Sequence, residues 1–156
     1  MFGFSKKTTL HLASPVPGQV IDITAVKDEV FSKKMMGDGF AVIPETGLVT
    51  APCDGSILLL ADTLHALAME CGKVQFLIHI GLETVDLQGR GFKAFVKNGD
   101  VVKKGDPLIA FDVDFIQTQG KDPTVIVVLT NLDELPAVTI KKLAGPTAAM
   151  DIEYSR

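Results

Sequence analysis

Apolar residues recur along this chain in short runs, each closed by glycine, proline, asparagine or aspartate. Such runs with turn residues between them read as strands. They fall at Gln19–Ile23, Phe40–Ile43, Gly47–Thr50, Gly55–Leu60, His65–Met69, Val74–Ile80, Lys93–Phe95, Pro107–Phe111, Thr124–Thr130 and Ala137–Ile140. The punctuation is "PVPG", "PETG", "PCDG", "ECGK", "KNGD" and "KKGD". Helical periodicity is weak, and only "VKDEVFSKKMM" and "VDFIQTQ" offer a turn or two of helix. The pattern predicts an all-β protein, an antiparallel β-sandwich or barrel-sandwich with short helical turns.

Two segments echo each other: "SPVPGQVI" and "APCDGSIL" both place Pro-x-x-Gly ahead of an apolar strand. "NGDVVKKGDPLIAF" then repeats a Gly-Asp turn after six residues. These read equally as corners where the chain crosses between sheets and as ordinary turns. A chain of 156 residues, 47% hydrophobic and 22% charged, fits one folded domain and excludes a disordered one. Net charge of −4 without a basic stripe argues against nucleic acid as partner. No apolar run approaches the length of a membrane span, and "MFGFSKK" lacks the apolar core of a signal peptide. Cys53 and Cys71 have no metal-ligand spacing. No disulfide framework is expected, and a reducing cytoplasmic setting is the simpler reading.

One feature breaks the apolar pattern. "VQFLIHIG" carries His79 near the end of an otherwise apolar strand, and a buried imidazole must find a partner or lose free energy. Strand alternation puts Leu77, His79 and Gly81 on one face. A three-residue loop, Cys71-Gly72-Lys73, would set Glu70 against Val74, His65 against His79 and Thr63 against Gly81. Leu67 and Leu77 would then form an apolar collar on that face. A loop longer by one residue would send the histidines to opposite faces. The residues alone leave three roles open for His79: a satisfied structural residue, a zinc ligand, or a nucleophile toward phosphorus. Zinc is the weaker of these, since two histidines come without a near-sequence third ligand.

The ordered motifs "SPVPGQVIDI", "VFSKKMMGDGFAVIP", "VTAPCDGSI", "TLHALAM", "FLIHIGLETVDLQGRGF" and "NGDVVKKGDPLIAFD" resemble the glucose-type enzyme IIA of the bacterial phosphoenolpyruvate:sugar phosphotransferase system. The resemblance runs collinearly from about Leu10 onward. It implies a phosphotransferase of the relay type. Such a protein accepts a phosphoryl group from phospho-HPr and passes it to the enzyme IIB domain of a glucose-family sugar permease. His79, ahead of Ile-Gly, matches the phosphorylated histidine; His65 matches the second active-site histidine, and Thr63 the threonine that orients it. Backbone N–H groups from Glu83 to Val85 are implied as phosphate contacts. Asp28, Val30, Phe31, Met36 and Glu83 match the docking face for partner proteins. Glu83 stands where aspartate is common in the family, and Glu29 where an apolar residue is.

The resemblance further implies a short tail over residues 1–9, a single phosphocarrier domain over 10–156, and a cytoplasmic protein that touches a membrane only through the permease. Met1 favours a free-standing protein over a detached permease domain. No cofactor is intrinsic, although a zinc ion shared by His65, His79 and a partner's carboxylate occurs in some members. The alternative role is a regulatory binding module whose docking is switched by phosphorylation of His79. "NGDVVKKGDPL" is similar to a turn of lipoyl and biotin carriers, but no Met-Lys-Met attachment turn is present. A zinc peptidase on a related sandwich would need a His-x-His pair, which the chain lacks.

Overall fold

The computed structural model describes residues 6–143 and 148–155. Of the expected tail, residues 1–5 lie outside the described residues, and Lys7 already belongs to a strand. Thirteen strands and two short helices follow in order: β1 Lys7–Leu12, β2 Gly18–Asp22, α1 Glu29–Ser32, β3 Gly39–Pro44, β4 Leu48–Thr50, β5 Gly55–Leu60, β6 Ala66–Cys71, β7 Val74–Ile80, β8 Phe92–Ala94, β9 Val101–Val102, β10 Pro107–Phe111, α2 Val113–Thr118, β11 Val125–Leu129, β12 Thr139–Lys142 and β13 Met150–Ser155. Seven strands form one sheet in the order β2-β3-β11-β7-β6-β5-β9, and the other described strands form two three-stranded sheets, β1-β13-β12 and β4-β10-β8. All pairings are antiparallel.

The inner face of the large sheet carries Val42, Ile57, Leu67, Met69, Phe76, Ile78, Val125 and Val127. These join Val49 and Leu108 from one small sheet, and Leu12, Ile152 and Tyr154 from the other, in one core. A fully buried aliphatic or phenyl side chain contributes roughly 1.5–3 kcal/mol, so this cluster supplies most of the drive to fold.

β11 and β7 show how sequence sets exposure. "VIVVL" has no alternation because both faces of β11 are covered: Val125, Val127 and Leu129 join the main core, while Ile126 and Val128 join a second, smaller cluster on the outside of the sheet. "VQFLIHI" alternates strictly between buried and half-buried, so its outer face is Gln75, Leu77 and His79. The outer cluster is completed by Ile23, Val26, Phe31, Ala41 and Leu82. α1 exists to deliver Phe31 to it: Asp28 caps the helix, its Oδ1 accepting from Val30 N at 2.9 Å, and Phe31 is the one buried residue in the turn.

Two expectations fail here. The β6–β7 hairpin turns on two residues, Gly72 and Lys73, so Cys71 faces Val74 and Ala66 faces His79. Cys71 is strand and not loop, because Leu67, Met69 and Cys71 must share the inner face with Val74, Phe76 and Ile78. Leu67 is accordingly buried in the main core and belongs to no outer collar. The cysteines also differ from expectation: Cys53 and Cys71 are joined in a disulfide. Pairing of β5 with β6 sets Ser56 opposite Glu70 and so brings the residue ahead of β5 beside the end of β6, with Cα atoms 6.6 Å apart. That contact depends on the sheet, and a separation of 18 residues in sequence conceals it.

Candidate active site

β7 lies between β11 and β6, so the backbone of His79 is held on both sides, opposite Ile126 and Ala66. Its ring stands on the outer face against Phe31, with centroids 5.1 Å apart and planes tilted by 56°. The ring of His65 meets it edge-on, at 5.1 Å and 80°. Nδ1 of His79 is buried without a well-formed hydrogen bond among the described residues. Burial pushes the His79 pKa down to about 4, and a charge on His65 would push the same way; the Gly81 backbone and Asp28 oppose these effects only in part. His79 is therefore a neutral base at pH 7.

His65 precedes β6. Left-handed Leu64, at φ +60°, turns the chain there and frees the His65 ring from the strand's alternation. Its carbonyl accepts from Ile80 N at 2.7 Å, and its Nδ1 lies 2.6 Å from Thr63 Oγ1. Burial lowers its pKa as well. With Nδ1 engaged by the hydroxyl, Nε2 is the nitrogen left for other work.

Past His79 the chain bends sharply. Gly81 sits at φ +79°, and a Cβ there would come within 2.4 Å of Thr84 Cγ2 and 3.0 Å of the Asp122 carbonyl oxygen. Gly81 N and Leu82 N donate to the carbonyls of Thr124 and Asp122, each at 2.8 Å. Buried Thr84 donates to the Ile80 carbonyl. Left-handed Glu83 then opens a 3-10 turn over Thr84–Leu87, whose first N–H groups lack partners within the turn.

The sequence matches the profile of the family described as phosphoenolpyruvate-dependent sugar phosphotransferase system, EIIA 1, over residues 10–135. The chain belongs to this family. It is a phosphohistidine-relay component of a sugar phosphotransferase system. A glucose-specific EIIA component of Halalkalibacterium halodurans is 42% identical over 158 aligned residues, covering 96% of this chain and 91% of that one. A glucose-specific EIICBA component of Staphylococcus carnosus is 46% identical over 77% of this chain, within 18% of its own length. The structure of a glucose permease IIA from Mycoplasma capricolum superposes with a TM-score of 0.80 at 32% identity, covering 97% of this chain and 99% of that one. The mainly antiparallel β architecture is the family's own.

Within this EIIA frame Thr63, His65 and His79 come together, by a route other than the expected register. Val30 and Met36 are exposed, at 42% and 43%. Phe31 is instead buried beneath His79. Asp28 caps α1 within electrostatic reach of His79, Glu83 projects into solvent, and Val85 is half exposed. Three further residues carry no mark of their own in the local sequence pattern. Met35 is 70% exposed beside Met36, and its place next to a quoted motif residue was the available signal. Ala66 holds the position opposite His79, which only the true register reveals. Lys121, far away in sequence, reaches the 3-10 turn. Among the described residues no group of three His, Cys, Asp or Glu side chains could hold a metal, and His65 with His79 falls short of the three or four protein ligands that zinc takes. No described helix is long and apolar enough to cross a membrane.

Proposed function

We propose that Nε2 of His79 is the phosphoryl acceptor, that phospho-HPr is the donor, and that the enzyme IIB domain of a glucose-family permease takes the group onward. The observation that carries this reading is the pairing of two neutral imidazoles, His79 with Nδ1 buried and His65 with Nδ1 held by Thr63. The lone pair on His79 Nε2 attacks phosphorus as the P–N bond to the donor histidine breaks; the reverse step on IIB regenerates the neutral ring. Phosphoryl transfer asks for alignment and charge stabilisation more than for a strong nucleophile. A rigid strand end supplies the first. His65 supplies the second if Thr63 donates to its Nδ1, which leaves the proton on Nε2 to point at a phosphoryl oxygen. The backbone at Glu83 and Val85 faces the same group.

Val30 and Met36 form an apolar docking rim, Phe31 supports the histidine from beneath, and Asp28 and Glu83 meet the donor's basic side chains. The apolar rim excludes water from the P–N bond while leaving the face open to proteins. The relay runs in the cytoplasm, where its donor is regenerated, and meets a membrane only through the permease.

Intact-mass analysis after mixing with phosphoenolpyruvate, enzyme I and HPr tests this. One acid-labile phosphoryl group, lost in His79→Ala and retained in His65→Ala, is the expected result. No mass gain beside a competent HPr would refute it.

A further inference from the structure

We propose that Lys121 is a positioning residue for the relay, holding the 3-10 turn beside His79 and offsetting the two carboxylates that the turn brings to the site. This rests on His79 being the phosphoryl acceptor. Lys121 Nζ lies 3.2 Å from Asp86 Oδ2 and 3.9 Å from Glu83 Oε2, with its side chain only 19% exposed against 66% and 76% for the two acids. It lines a cleft of about 250 Å³ together with Asp28, Leu82 and Glu83.

The backbone that presents Lys121 is fixed before the side chain does anything. α2 ends in a Schellman cap: Gly120, at φ +74°, donates to Gln117 O at 3.0 Å, and Lys121 N donates to Ile116 O at 3.1 Å. Asp122 then closes a small turn on Thr124 through Oδ1, at 2.9 Å to N and 2.6 Å to Oγ1. The carbonyls of Asp122 and Thr124 hold Leu82 and Gly81, the residues that join His79 to the turn. The 120–124 segment therefore grips the turn by its backbone at one end and by the Lys121 ammonium at the other.

A structural ion pair is the simpler account, and exposed pairs contribute little to stability. Location distinguishes the two. The turn that carries Glu83 and Asp86 follows His79 in the chain through Gly81 and Leu82, so a phosphoryl group on His79 adds negative charge next to that turn, and among the described residues Lys121 is the cation paired with both acids. Without it the same carboxylates would oppose transfer while still attracting a basic donor.

Rapid-quench transfer from phospho-HPr would compare the native protein with Lys121→Gln, Lys121→Arg and Asp86→Asn/Lys121→Gln, each checked by its melting temperature. The expected result is a maximal rate about tenfold lower in Lys121→Gln, with no rise in the half-saturating HPr concentration. The Arg variant and the charge-matched double variant should return to within about threefold of native. A native rate in Lys121→Gln would overturn the proposal. So would a double variant as slow as the single one, since charge would then not be the cause. Failure of the native protein to accept phosphate at all would instead remove the reading beneath it.

Discussion

His65 and His79 meet edge-on at 5.1 Å although their strands are paired so that His65 lies across from Ile80. The contact exists because Leu64 turns the chain through a left-handed conformation just before β6 begins. Two neutral imidazoles are thereby fixed on one outer face. They differ in what holds the inner nitrogen: that of His65 lies 2.6 Å from the Thr63 hydroxyl, whereas that of His79 is buried with no more than a weak contact to the Gly81 backbone.

The division of labour follows from that asymmetry. His79→Ala should lose phosphoryl acceptance completely. His65→Gln should still accept the group but pass it to IIB at least about 10²-fold more slowly, because the amide keeps an N–H but loses the imidazole geometry that Thr63 fixes and so misplaces the donor at a developing charge. Rapid-quench measurement of both half-reactions checks this; onward transfer at the native rate by His65→Gln would rule the role out.

Thr63→Val removes the hydroxyl from His65 Nδ1 while nearly keeping the side-chain volume. The imidazole is then free to take the other tautomer, and onward transfer should fall roughly tenfold, the worth of one ordinary hydrogen bond. A shift in the His65 ring-nitrogen NMR resonances should accompany the slower transfer.

Titration of His79 should be visible only in acid. Its folded pKa of about 4 lies below the ordinary 6.5, so the unfolded chain binds the proton more readily. That contribution to stability is fully present above pH 6.5 and is lost as pH falls toward 4, by about 3 kcal/mol in all. Imidazole Cε1 proton shifts followed from pH 8 to 4 test it; a His79 midpoint above 6 would contradict the buried, neutral ring.

Much of this was legible in the chain and some was not. β5, β7 and β10 take the expected bounds because apolar residues there are bracketed by Gly, Pro or Lys-Gly turns. β1, β9 and β13 have no counterpart among the expected strands: "KTTLHL", for one, is too polar to announce a strand, and it becomes one by pairing with a segment from the far end of the chain. The two helical turns fell where expected, at α1 and α2. The histidine face is legible but its register is not, because local pattern fits Cys71 to the loop as well as to the strand, and its disulfide partner Cys53 is brought beside it only by the sheet. Lys121 was invisible for the same reason, being 35 residues from the carboxylate it binds. Local pattern reveals strands and faces; contacts between distant segments appear only once the sheets close.

The disulfide gives a fourth test. Closing a loop with a separation of 18 residues should stabilise the fold by about 3 kcal/mol through the unfolded chain. Cys53→Ala/Cys71→Ala should lower the denaturant midpoint accordingly, leaving the His65 and His79 resonances in place because the bond lies at the other end of β6 from the histidines. A double variant that lost phosphoryl acceptance at full folding would show that the bond shapes the site.

Gly81→Ala should be harsher on the site than on the fold. The left-handed backbone costs a side chain roughly 1–2 kcal/mol, and the new methyl would press on Thr84 and the Asp122 carbonyl. Denaturation would read the first effect; the rate of acceptance from phospho-HPr should fall by more than that loss of stability explains.

His79 opens to one side of one sheet, with β11 and β6 closing it on the left and right and the main core behind. Such a doorway admits one visitor at a time. Donor and acceptor must queue for it, giving ping-pong kinetics in which excess unphosphorylated HPr or an idle permease blocks the next arrival. The throughput of the relay is then governed by how quickly each protein lets go.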